Sequence, residues 1–287
     1  MTNPIRTLIL LLVVRSTAAE AALPALGDAR PDHAAVSTAV ALFAGMLALL
    51  ELGRRLGLRR LARDTEGARA GMGAVDGAVF ALLGLLLAFT FSGAASRFDQ
   101  RRNLIVEEAN CIGTAWLRLD TLPAGAQVAL RDRFRQYVDT HLAAYRKLAG
   151  PEAARAELAV SMRLQDEIWA LAVAATGTPE GGRATMLLLP ALNDMFDIVT
   201  TRTVALETHP PKVIYGLLAV LALASSLLAG FGMSGSKRRS WVHILGFAAI
   251  VATSVYVIRD LEHPRMGLIR IDPVDRLLMD LRVSMGP

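Results

Sequence analysis

Three groups of residues in this sequence have types and spacings that could do chemistry. The first is Asn103, Glu107, Asn110, Thr114 and Arg118, whose steps of three and four place them on one face of a helix. A polar stripe of that kind can line a water-filled vestibule for ions, or it can be a solvated helix face with some buried hydrogen bonds. The second group is Arg97, Asp99, Arg101 and Arg102, which follows directly on an oily run. Cations at that depth anchor lipid headgroups, and a ring of them around an axis would raise the local concentration of anions. The third is scattered: Asp32 and His33, Glu207 and His209, then Asp260, Glu262 and His263. Brought to one level, such carboxylates and imidazoles could hold a metal ion or form a proton-sensitive latch. Helix capping, turns at His209-Pro210 and His263-Pro264, and headgroup contacts account for them more cheaply, without any ligand.

Catalytic motifs are missing. There is no P-loop, no dinucleotide fingerprint, no His-Glu-x-x-His and no Gly-x-Ser-x-Gly, and "GMGAVDGAVF" has glycines without a preceding strand. The single cysteine, Cys111, cannot form an internal disulfide and reads as a small buried helix residue. The sequence therefore assigns no catalytic residue, no metal site and no cofactor.

The elements that must position these groups are membrane helices. Of 287 residues, 53% are hydrophobic and only 20% charged, too apolar for an ordinary soluble domain of this length. About 20 apolar residues cross the roughly 30 Å hydrocarbon layer as a helix. Four stretches meet or approach that length: 34–50, 77–96, 213–236 and 240–258. None alternates as a barrel strand would. In the second stretch, Gly77, Ala81, Gly84, Ala88 and Ala95 fall within about 40° of one line on a helical wheel, with Ser92 beside it. A face this small suits a tight helix contact or a position near the axis of an oligomer. Phe80, Leu87 and Phe91 flank it and are the candidates for an apolar constriction, so the candidate pore-lining set is Phe80, Gly84, Leu87, Ala88, Phe91 and Ser92. The candidate vestibule set beyond the membrane is Arg101, Asn103, Glu107, Asn110 and Thr114.

The net charge of +5 is explained by location, and it does not call for nucleic acid. Arg54, Arg55, Arg59, Arg60, Arg63 and Arg69 lie between the first two stretches, and Lys237, Arg238 and Arg239 between the last two. Positive loops stay inside, which places 51–72 and 237–239 in the cytoplasm and residues 97–212 and the C-terminus outside. The first 22 residues, with Arg6, an apolar core and Ala19-Glu20-Ala21, fit either a signal peptide or a retained interfacial helix.

Between Pro31 and Pro123 there is no proline, so 77–122 is compatible with one helix that leaves the bilayer and continues into water. Further helices are expected over 126–148, 151–176 and 183–207, with a kink or late start at Pro190. After the fourth span come a turn, a short extended piece around 268–271, and an amphipathic helix that packs Val274, Leu277, Leu278, Leu281 and Met285 back on the bundle. The fold class is all-α: a four-span membrane protein whose long second helix projects into an extramembrane helical bundle. Its units are 1–22, 34–96, 97–212, 213–258 and 259–287.

"FALLGLLLAFTFSGAASRFDQRRNLIVEEANCIGTAWLRLDTLP" (80–123), "LNDMFD" (192–197) and "VIRDLEHPRMGLIRI" (257–271) together resemble the bestrophin-like domain family of prokaryotic integral membrane proteins. The resemblance implies a distant relation to bestrophins, pentameric anion channels whose second span lines the pore. It makes the expected function an oligomeric, anion-preferring channel in the bacterial inner membrane. The partners it implies are the lipid bilayer, further copies of the chain in a homo-oligomer (five on the bestrophin pattern) and inorganic anions. The alternative is a non-conducting scaffold or sensor whose outer bundle binds a partner or ligand.

Overall fold

A computed structural model describes residues 33–62, 72–146, 151–235 and 240–286, and among them there is no strand. The α-helices in chain order are α1 (His33–Leu61), α2 (Met72–Arg118), α3 (Ala124–Arg146), α4 (Pro151–Thr176), α5 (Thr185–Glu207), α6 (Lys212–Gly232), α7 (Trp241–Glu262) and α8 (Asp272–Ser284). Four helical stretches, holding α1, α2, α6 and α7, are long and apolar enough to cross a membrane. The N-terminal 22 residues, Asp32, residues 63–71 of the basic loop 51–72 and the loop 237–239 fall outside the described residues.

The apolar ends of α1, α2, α6 and α7 pack around Leu42, Met46, Leu83, Leu218, Ala222, Ala248, Val251 and Val255. Glycine sets the closest crossing. A Cβ on Gly53 of α1 would lie 2.0 Å from the Leu227 carbonyl oxygen, and one on Gly230 of α6 would lie 2.0 Å from that of Leu50. Only glycine lets two helix backbones approach so closely, as the spacing Gly53-x-x-x-Gly57 permits.

α2 is one helix of 47 residues, about 70 Å long at 1.5 Å per residue, and it does not break where the oily run ends. It is continuous because no proline interrupts it and because its inner side is largely apolar, with Arg101 and Glu108 the buried charged exceptions. Leu83 and Ala94 are buried in the first half, then Leu104, Ile105, Ile112, Ala115, Trp116 and Leu119. Thr90, a half-buried hydroxyl midway, bonds back to the Leu86 carbonyl at 2.7 Å. The second core lies around the far half of this rod. It joins Ile105, Ile112 and Trp116 to Phe134, Tyr137 and Val138 of α3, Ile168 and Ala172 of α4, Leu188, Leu192 and Met195 of α5, Leu278 of α8 and Met285 just after it. Pro190 sits inside α5 near its start without ending it.

α8 packs back on this bundle through Val274, Leu278, Leu281 and Met285. Leu277 departs from the sequence expectation and is 43% exposed, because the buried side is centred on its neighbour Leu278. Residues 268–271 form bends and no strand.

Candidate functional site

The outward side of α2 is open along its described length. Ala78, Leu82, Leu85, Phe89, Ser92, Ser96, Asp99, Asn103, Glu107, Asn110 and Thr114 are all exposed, at steps of three and four residues. They form one continuous seam. Its first part is bulky and apolar, with Leu82 and Leu85 each 51% and Phe89 66% exposed. Its second part is polar, and Ser92, Ala95, Ser96, Asp99, Gln100, Asn103 and Glu107 line a shallow concavity along the rod.

The sequence-based candidates divide on this surface. Gly84, Ala88, Phe91 and Ser92 are exposed, and a Cβ on Gly84 would meet nothing within 4 Å. Among the described residues, the part of the small face at Gly84 and Ala88 is therefore not a tight contact. Phe80 turns inward, edge-on to Phe247 of α7 at 5.7 Å between ring centres. Leu87 likewise packs against the apolar clusters. Asn103, Glu107, Asn110 and Thr114 lie on the open seam, but Arg101 is 2% exposed and faces away from it.

Arg101 instead joins α2 to the junction of α5, α6 and α7. Its guanidinium donates to the carbonyls of Ala205 at 3.0 Å, Glu262 at 3.0 Å and Thr208 at 2.8 Å. The Glu262 carboxylate, 2% exposed, lies 3.7 Å from Arg101 and accepts from Arg97 at 2.8 Å. On its other side stands His209, 3.3 Å away, which stacks on His263 at 5.4 Å. A buried carboxylate needs partners of this kind, because an unpaired charge there is costly.

Of the scattered third group, Glu262, His209 and His263 thus come together. Asp260 takes a different part: it is fully buried and accepts from the backbone N–H of Leu268 at 3.1 Å and Ile269 at 2.8 Å. Gly267 closes this turn, since a Cβ there would fall 1.9 Å from Asp260 Oδ1. The segment "RDLEHPRMGLIRI" is therefore a clasp, with Glu262 holding two arginines and Asp260 holding the returning chain. Glu207 and His33 are exposed at helix ends. No group of three or more His, Cys, Asp or Glu residues suited to a metal ion occurs among the described residues.

A second polar knot, not foreseen from the sequence, sits in the extramembrane core. Glu108 is fully buried and bonds Arg202 of α5 and, at 2.7 Å, His141 Nδ1 of α3. The other ring nitrogen of His141 meets Ser161 Oγ of α4 at 2.7 Å. Tyr137 lies against the imidazole, and burial pushes its hydroxyl above the ordinary phenol range. The order Ser–His–Glu is that of a hydrolase relay. Here Ser161 is only 3% exposed and His141 7%, so the arrangement serves as a polar key tying four helices. The sequence signal was a lone carboxylate, Glu108, on the line of Leu104 and Ile112.

Comparison with known proteins gives one family. A family model described as "Bestrophin-like domain" matches residues 33–275. Among curated proteins nothing matches. Among solved structures, a bacterial bestrophin homologue from Klebsiella pneumoniae carrying a tyrosine-to-alanine mutation is similar in fold, with a TM-score of 0.58 and 16% identity over 83% of this chain and 98% of that one.

Proposed function

The chain belongs to the bestrophin-like family, and from that premise we propose that it is an oligomeric ion channel of the bacterial inner membrane with α2 beside the conduction axis. One observation carries this reading: among the described residues nothing covers the seam from Ala78 to Thr114, and it runs without a break from apolar to polar. Copies arranged around an axis would turn Leu82, Leu85 and Phe89 into a narrow apolar collar that gates by dewetting, and the stretch from Ser92 to Thr114 into a wet vestibule. Gly84, Ala88 and Phe91 border the collar and allow neighbouring rods to approach, while Phe80 and Leu87 brace it from behind. The bundle and the C-terminus lie outside, with the basic loops in the cytoplasm.

The anion preference expected from the sequence rested on the family resemblance and on a ring of arginines. Arg101 is buried, however, and Arg97 is bonded to Glu262. The charges left open on the seam are Asp99 and Glu107, with Arg102 one position aside. That balance favours cations in the vestibule, and the reversal potential under a salt gradient decides the sign.

Conductance of purified protein in planar bilayers tests the reading. Phe89→Ala widens the collar and is expected to raise open-state current, while no current above empty bilayers from either protein refutes the channel and favours the non-conducting scaffold.

A further inference from the structure

We propose that the far end of α1 is a binding site for anionic phospholipid headgroups. At 29 residues α1 is about 43 Å long, some 13 Å more than the hydrocarbon layer requires. The surplus falls in the roughly three turns after Leu50, which are strongly basic. Arg54, Arg55, Arg59 and Arg60 are opposed there by Glu51 alone, which bonds Arg54 at 3.2 Å and Arg55 at 2.9 Å.

Two features make this a built surface and not a fraying tail. Gly53 and Gly57 press this turn into the backbone of α6, so its position is fixed. The opposite side then presents Leu52 at 45% and Leu56 at 42% exposure together with the side chain of Arg55, 67% exposed, and the exposed Arg59. Leucines beside arginines at the depth where the oil ends match a lipid: acyl chain against Leu52 and Leu56, phosphate against Arg55 and Arg59.

Trp241 gives a local probe. Arg259 of α7 bonds Thr38 of α1 at 2.6 Å, so the two helices are antiparallel and the end of α1 lies level with Trp241 at the start of α7. The other two tryptophans, Trp116 and Trp169, belong to the extramembrane core. The full chain is reconstituted with brominated phosphatidylglycerol or brominated phosphatidylcholine, and quenching of Trp241 fluorescence reports the relative affinity for each lipid. Phosphatidylglycerol is expected to win. With about fivefold per arginine, Arg55→Gln with Arg59→Gln should remove most of that preference, while Arg163→Gln on the outer bundle leaves it unchanged. Equal quenching by the two lipids in the parent, or an unaltered preference in the double variant, overturns the proposal. So does loss of the preference on adding millimolar inorganic phosphate, which would make this a site for the free anion.

Discussion

Removing Arg202 should cost the extramembrane bundle more than removing Arg202 and Glu108 together. Glu108 is fully buried and Arg202 5% exposed, and they bond across α2 and α5. Arg202→Leu leaves the Glu108 carboxylate inside the core with His141 as its remaining described bond partner, and breaking one side of a buried pair costs about 3–5 kcal/mol. In Arg202→Leu with Glu108→Leu no charge is stranded. What is lost is the bond from His141 Nδ1, about 1–3 kcal/mol for a buried group left unmade, against which the two leucines gain apolar packing. The double variant should therefore be more stable than Arg202→Leu by about 2 kcal/mol. The assay is guanidinium unfolding of detergent-solubilised protein followed by Trp116 and Trp169, both of which sit in this core. Additive losses would refute the reasoning, since they would mean that neither group is stranded by loss of the other.

Gly267→Ala should displace Asp260 and release the Leu268 and Ile269 N–H groups, lowering stability by about 2–4 kcal/mol and the melting temperature accordingly; Gly125→Ala, where a Cβ would meet nothing within 4 Å, is the neutral control. Because the Tyr137 pKa is raised in the folded chain, its contribution is intact below the ordinary phenol pKa of about 10 and is lost as pH rises beyond it. Stability measured at rising alkaline pH should fall less steeply in Tyr137→Phe than in the parent. With Cys111 replaced by serine, Val128→Cys, 72% exposed on α3, should react with an impermeant maleimide added outside intact cells; labelling only after permeabilisation would reverse the orientation.

Periodicity and the absence of proline made α2 readable from sequence, because a rod of this length needs only a continuous apolar side and no break. Which side faces out was harder. Residue size pointed to the line through Gly84 and Ala88, yet the open seam is centred nearer Leu85 and Ser92, roughly 70° round. The shift arises because Phe80 and Leu87 pack toward α7, a choice that depends on a partner more than 150 residues away, as Phe247 is. Arg101 illustrates the same limit. Nothing adjacent to it says that three carbonyls from the α5–α6 and α7 ends will take its guanidinium. Of the described residues of the third group only Glu262, His209 and His263 meet, which no spacing in the sequence could fix, and arginines are the main partners of that carboxylate. His141 and Ser161 carried no local signal, being ordinary polar residues on amphipathic helices until the fold sets them beside Glu108.

The grip on Arg97 and Arg101 falls near the midpoint of α2. A stiff beam held at its middle behaves as a seesaw. Leu85 is about 24 Å to one side and Thr114 about 20 Å to the other, so a tilt of about 5° would swing them by about 2 Å in opposite directions. Small tilts set by the outer helices would thus reach the greasy end at about the same amplitude and with the opposite sense, with Glu262 as the bearing.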